Sequence, residues 1–294
     1  MAGLSVAAAS PQLFDSPNRS ECFAMTESHP SRVFMFDNND PEMQRAYENA
    51  RTAFRFFWRE IAWERRRIVP ALDLACVKAP FSDGEQGTSE EDTPDVEHMW
   101  LSDVDFDGLF VSGVLLNSPN WLKTVKEGDS AQIPLSQISD WMYAIDGEVF
   151  GAYTVNLLRS RMGPQERQEH DAAWGLKFGD PTRIRVTPAP NTGTGLLKRW
   201  FGKRQTDTDE HPMSEGMASK LKMQLKKDPS FADARDDRGW SVLHQESLAG
   251  NVATVAVLLE AGADRNAVTN HGMTPIQLAS SLGWDKVIEL LSRQ

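Results

Sequence analysis

Four places in this chain bring together side chains that could do chemistry. Asp103, Asp105, Asp107 and Gly108 form a D-x-D-x-D-G string of the kind that opens a calcium loop. Such a loop needs a bidentate Glu at its twelfth position, where this chain has Val114 in an apolar run. The string reads instead as a hairpin turn with acids facing outward. Glu166 and His170 stand four apart on a predicted helix, a spacing that can hold a metal. No second histidine joins them at ligand spacing, so a solvated helix face is the expectation. Cys76 lies in an apolar segment, where a thiol is a small buried hydrophobe rather than a nucleophile. Trp100, Trp121, Trp141 and Tyr143 could line a pocket, but such residues more often fill the core of a small sheet. The sequence holds no nucleophile elbow, phosphate-cradling glycine loop or zinc spacing. The expectation is a protein that is not an enzyme and takes no cofactor or metal.

The charge balance points the same way. With 42 acidic against 31 basic residues the formal charge is −11, the wrong sign for displacing counterions from nucleic acid. A concentration of acids falls between Ser82 and His98: Asp83, Glu85, Glu90, Glu91, Asp92, Asp95 and Glu97, with no Lys or Arg among them. Interleaved Gly, Ser, Thr and Pro predict a mobile acidic loop. Glu90, Glu91, Asp92 and Asp95 are candidates for drawing in a basic partner surface. The basic-aromatic knot at Lys198–Arg204 is a weak signal for nucleic acid or lipid in so acidic a chain. Two cysteines, Cys22 and Cys76, fit a reducing compartment. The opening Met1–Ala9 run has no Lys or Arg before its apolar stretch, and no segment reaches the ~18 apolar residues of a membrane helix. The reading is cytoplasmic, with neither nucleic acid nor membrane as partner.

These residues must be positioned by regular elements. Residues 1–38 read as a loose leader with one strand at Val33–Phe36. Asp40-Pro41 is an N-cap followed by proline at the first helical position. From there Met43, Ala46, Tyr47, Ala50, Phe54, Phe57, Trp58 and Ile61 mark one apolar face of a helix that Pro70 ends. Strands follow at Leu72–Val77, Met99–Val104, Leu109–Leu116, Ser130–Pro134, Trp141–Ile145 and Glu148–Thr154. Asp107-Gly108 and Asp146-Gly147 supply hairpin turns. The expected arrangement is α+β: an antiparallel meander with one long helix against it, closed by a short helix at Pro164–Trp174. Residues 39–180 form this domain, 181–213 a linker, and 214–294 a separate all-α domain.

That last segment repeats itself with a period of 33: Asp237–His244 aligns with Asn270–Gln277, Gly239 with Gly272, Gly250 with Gly283 and Leu258 with Leu291. In length and motif it resembles the ankyrin repeat, with Met217–Asp236 as a degenerate capping repeat. Two repeats and a cap lie near the lower limit for a stable stack, so the array should lean on the first domain or on a partner. At one position the repeats differ: Ala279 has the small residue usual in the family, and Glu246 does not. A carboxylate there must find a donor or reach water. Trp240, near a hairpin tip, and Trp284, at an inter-helix turn, either anchor a partner or dock onto the first domain; His271 stands at the second tip.

Residues 40–180 resemble the bacterial YegJ-type domain of unknown function. The likeness rests on Glu97-His-Met-Trp100, Gly113–Asn117, Pro119-Asn-Trp-Leu122, Val125-Lys126, Gly128-Asp129, Ile138-Ser-Asp-Trp-Met-Tyr143, Gly147, Gly151 and Tyr153-Thr-Val155. That family has no established reaction. The resemblance implies a setting beside secreted toxin genes, where immunity proteins are encoded. The expected function is therefore non-catalytic protein binding: an immunity protein that neutralises a toxin, a nuclease effector being the natural target because its cleft is basic. The alternatives are a regulatory ankyrin adaptor unrelated to toxins, and an enzyme using the Trp-rich sheet as a pocket.

Overall fold

The computed structural model describes residues 40–84, 96–188 and 210–293. The predicted strand at Val33–Phe36, the acidic stretch at 85–95 and the basic knot at 198–204 lie outside them. Helix α1 spans Pro41–Glu64 and starts as its sequence requires, with the Asp40 carboxylate accepting from the Glu42 N–H at 2.9 Å. It stops at Glu64, well before Pro70. The reason is Glu64 itself: its carboxylate accepts from the N–H groups of Ala71 and Leu72 and pairs with Arg67, turning the chain back.

Among the described residues six strands form one antiparallel sheet: β1 (Leu74–Phe81), β2 (Glu97–Phe106), β3 (Phe110–Leu115), β4 (Ser130–Pro134), β5 (Asp140–Ile145) and β6 (Glu148–Gly151). Their order is β4-β3-β2-β1-β5-β6, so the expected simple meander holds only through β4. The chain then crosses back and lays β5 along the free side of β1, pairing Val77 with Trp141 on one edge and Leu101 on the other. One face of the sheet receives α1: Phe54 and Trp58 meet Phe106 edge-on, Phe57 tilts against Trp141, and the Trp141 indole donates to the Ala50 carbonyl at 2.7 Å. On the other face Cys76, Met142, Ala144 and Val149 cluster with Val155, Leu176 and Phe178.

The predicted strand at Glu148–Thr154 is cut short. Gly151 and Ala152 both take positive φ, 78° and 57°, and helix α2 (Tyr153–Arg161) begins at once. Its cap comes from another strand. The buried Asp140 carboxylate accepts from the Tyr153 and Thr154 N–H groups at 2.9 and 2.8 Å and from the Thr154 hydroxyl at 2.5 Å. Gly151 is glycine for a second reason: a Cβ there would lie 2.4 Å from the Trp141 ring. Helix α3 follows at Pro164–Trp174.

The C-terminal region is helical. After α4 (Ser214–Lys227) come two hairpins, α5 (Val242–Leu248) with α6 (Val252–Glu260) and α7 (Pro275–Ser281) with α8 (Asp285–Ser292). Residues 33 apart share conformation: φ is 75° at Gly239 and 76° at Gly272, and 73° at Gly250 and 66° at Gly283. Ser241 and Thr274 cap α5 and α7 in the same way, through His244 and Gln277 three residues on.

Sheet and hairpins are not two separate bodies; Asn38–Gln294 is one compact unit. Its centre is α1, which is buried on two sides. At 100° per residue, Phe56, Arg59, Glu60 and Trp63 fall opposite the sheet-facing stripe, and all four are buried.

Candidate protein-docking surface

The second face of α1 is seated across the turns of the two hairpins. Trp63 donates from its indole to Asn251 Oδ1 at 3.1 Å and stacks on His211 with ring centroids 4.7 Å apart. Phe56 meets Trp284 edge-on at 6.3 Å, and Arg55 lies over the same indole while donating to the Gly283 carbonyl at 3.0 Å. Arg66 pairs with Glu246 at 2.7 Å, and the other oxygen of that carboxylate accepts from Asn251 Nδ2 at 2.8 Å and the Thr254 hydroxyl at 2.6 Å. Glu246, the residue that breaks the repeat pattern, has thus found its donors. Glu60 faces His211 at 3.5 Å and Arg59 at 3.2 Å, and these neighbours hold its carboxyl below the usual value against the opposing cost of burial. The β2–β3 turn completes the junction. A Cβ on Gly108 (φ 99°) would lie 2.5 Å from Leu278, and Asp105 bridges Arg65 and Arg238, both at 2.9 Å.

This junction decides the fate of the predicted anchors. Trp284 is 3% exposed and Trp240 6%. Neither is an exposed partner anchor, and for Trp284 the other reading, docking onto the first domain, is the one the structure has. Trp284 is docked inward onto α1, its indole donating to the Leu248 carbonyl, and Trp240 belongs to the shared core with Arg238 over its ring. His271 is exposed at its hairpin tip. Glu90, Glu91, Asp92 and Asp95 lie outside the described residues. Of the acids that flank them, the two described are tied to the β3–β4 connection: Asp83 accepts from the Lys123 and Thr124 N–H groups and the Thr124 hydroxyl, and Glu97 from Asn120 and the Trp121 N–H.

The other candidates prove to hold the fold together. Asp107 accepts from the Leu109 and Phe110 N–H groups and so shapes its turn, while Asp103 sits at a bulge with φ 49°. His170 contacts Asp171 and the rings of Trp174 and Phe178. Among the described residues no three His, Cys, Asp or Glu are grouped to hold a metal. Cys76 is fully buried, and burial pushes its thiol well up, away from the reactive thiolate. Of the aromatic set, Trp141 and Tyr143 are core; Trp100 is half-buried beneath the Lys78 ammonium, and Trp121 is half-buried too. A groove of about 590 Å³ runs beside α3. Its arginines are already engaged: Arg159 grips Asp171 at 2.7 and 2.6 Å, and Arg167 donates to the carbonyls of Arg159 and Met162, closing the end of α2.

Two groups with displaced pKa values were missed as such in the sequence. Burial raises Asp140, an effect that Thr154 and nearby Lys78 partly offset. His98 is pushed down to about 4 by burial and by Lys78; it rests on Tyr47 and shares a 2.9 Å hydrogen bond with Ser139. An acid inside an apolar strand run, as in Ile138-Ser-Asp-Trp, was the available signal for Asp140.

Of the large apolar side chains left exposed among the described residues, Leu116, Met213, Met223 and Val268 are scattered, and four lie toward one end of the sheet. The register puts the start of β1, the end of β2 and the start of β3 at that end. There Ile68 is 98% and Val69 76% exposed, with Leu109 and Phe110 also open to solvent. The Ile68–Val69 turn is held at its base by Glu64, as described above. Paired inward, Arg65, Arg66 and Arg67 are already bound to acids of the same chain.

Comparison with known proteins agrees with this anatomy. Residues 40–178 match a family described as an uncharacterized protein conserved in bacteria, DUF2314. Over 98 residues the chain is 34% identical to the uncharacterized protein YegJ of Escherichia coli, covering 33% of this chain and 58% of YegJ. A protein of Neisseria meningitidis serogroup B, provisionally named an ankyrin repeat protein, is 39% identical over 262 residues, 89% of this chain and 97% of the relative. Among the described residues no helix is long and apolar enough to cross a membrane. Sharing 89% of its length with that Neisseria protein, the chain belongs to the same family, a DUF2314 domain followed by helical hairpins.

Proposed function

We propose that this chain is a protein-binding protein with no chemistry of its own, and that it neutralises a bacterial toxin, a nuclease effector above all, by occlusion. The observation that carries the reading is the Ile68–Val69 turn. Two adjacent β-branched residues stand almost fully in water on a turn whose base is fixed by hydrogen bonds from one carboxylate. Scattered exposed apolar residues are ordinary, but a rigid pair loses little freedom on binding and is suited to fill a partner's pocket. Burying both side chains would contribute about 1.5–3 kcal/mol each. The formal charge of −11 supports a basic partner by steering its approach, and a nuclease cleft has that sign.

The test is co-expression with the product of the adjacent gene. A stable complex on size exclusion and rescue of growth from that product are expected, both weakened at least tenfold by Ile68→Asp with Val69→Asp. A chain that forms no complex with any adjacent product, or a complex indifferent to these changes, contradicts the reading.

A further inference from the structure

One cation stands where a sheet seldom puts one. Lys78 lies within β1, an inner strand, directly opposite Trp100 of β2 on one side and Asp140 of β5 on the other. Alternation along the strand sets it on the same face as Cys76, the face turned away from α1, where Cys76 and Met142 are buried. The side chain is half-buried, and its ammonium lies 5.5 Å from the centroid of the Trp100 ring.

That ammonium has lost water and gained little in return. Among the described residues no hydrogen bond or ion pair holds it. The Asp140 carboxylate is spent elsewhere: its oxygens accept from the Trp141, Tyr153 and Thr154 N–H groups and from the Thr154 hydroxyl. The other groups facing the site carry no charge at neutral pH. His98, two residues from Trp100 on the same face, is pushed down to about 4 and stacks on Tyr47 of α1, whose phenol burial pushes up; burial likewise holds the Cys76 thiol un-ionised. What favours the ammonium is the Trp100 ring and, at longer range, the Asp140 charge. Burial outweighs both and draws Lys78 below its ordinary 10.5. An amine so placed is a nucleophile closer to neutral pH than a surface lysine.

We propose that Lys78 is a modification site, the amine at which this protein captures a small aldehyde. The Nζ lone pair forms a bond to the carbonyl carbon, and the carbonyl oxygen departs with the two protons of the amine. Amine and aldehyde thus give imine and water, with no oxidant or reductant. The half-buried position admits only a small aldehyde. Capture happens once per chain, to the protein rather than by it, and stands apart from the Ile68–Val69 reading.

The test treats the native full chain with acetaldehyde and cyanoborohydride, which fixes each imine as an ethyl group, and follows every lysine by peptide mass spectrometry from pH 6 to 9. The exposed Lys123, Lys126, Lys220, Lys226 and Lys227 serve as internal references. At pH 7 Lys78 should be ethylated at least fivefold faster than their median. Its rate should also climb less steeply with pH, because ordinary lysines gain free amine about tenfold per unit over this range. In urea that unfolds the chain the difference should vanish. A smaller advantage at pH 7, a rise as steep as that of the references, or an advantage that survives unfolding overturns the proposal.

Discussion

Glu246 shows how much one buried carboxylate can organise. It ties Arg66 of the α1 end to Asn251 and Thr254 of the hairpins, and Asn251 in turn holds Trp63. Glu246→Ala would install the small residue of the equivalent position, Ala279, yet it should destabilise the protein by about 2–3 kcal/mol in urea unfolding. That is at or just below the roughly 3–5 kcal/mol for breaking a fully buried pair, since Arg66 is partly exposed and regains some water. Unchanged stability would show that the carboxylate is incidental. His98 makes a separate prediction about pH. Its folded pKa of about 4 lies below its ordinary 6.5, so between these values the unfolded chain binds more protons. Stability from this residue is present above pH 6.5 and lost as pH falls towards 4. Asp140 runs the other way: its raised folded pKa means that its contribution weakens as pH rises above the ordinary carboxylate value of 3.8. His98→Gln should flatten the slope of unfolding free energy between pH 6.5 and 4; an unaltered slope would assign the acid sensitivity to other groups.

At the level of elements, local signals were readable and distant ones were not. The Asp40-Pro41 start, the Asp107-Gly108 and Asp146-Gly147 turns, β4 and α3 follow from neighbouring residues, and the structure has them where the sequence put them. Helix α2 was hidden because its cap, Asp140, belongs to another strand. The second face of α1 was hidden because Arg59 and Glu60 look like solvent-facing charges and become buried only when the hairpins close over them. The same closure explains why Trp284 looked like a partner anchor. Nothing in the sequence marked Ile68 and Val69 as exposed, because Pro70 just beyond them suggested only the end of a helix. Gly250 tests this level. Gly250→Ala adds a Cβ both at positive φ and against the Trp284 ring, and should cost at least ~2 kcal/mol, loosening α7 and α8 together with the middle of α1. Calorimetry showing a fall in Tm under 2 °C would mean that the ring can move aside.

For the molecule as a whole, the hairpins' turn face is spent on holding α1, so partner binding falls to what is left outside: the Ile68–Val69 end, the His271 tip and the net negative charge. If charge steers and the apolar turn holds, raising the salt from 50 to 500 mM should slow association with a partner captured by co-expression while leaving dissociation nearly unchanged. Ile68→Asp should do the reverse. The larger claim is that sheet and hairpins form one cooperative unit with α1 as their common core. Native-state hydrogen exchange on the wild type and on Trp284→Ala measures it directly. The indole removed lies in the hairpins, far along the chain from the sheet. The account predicts that amides of α7, α1 and β5 all lose protection by a similar factor. Loss confined to α7 and α8, with β5 as slow as before, would mean that the two parts are merely in contact and would contradict it.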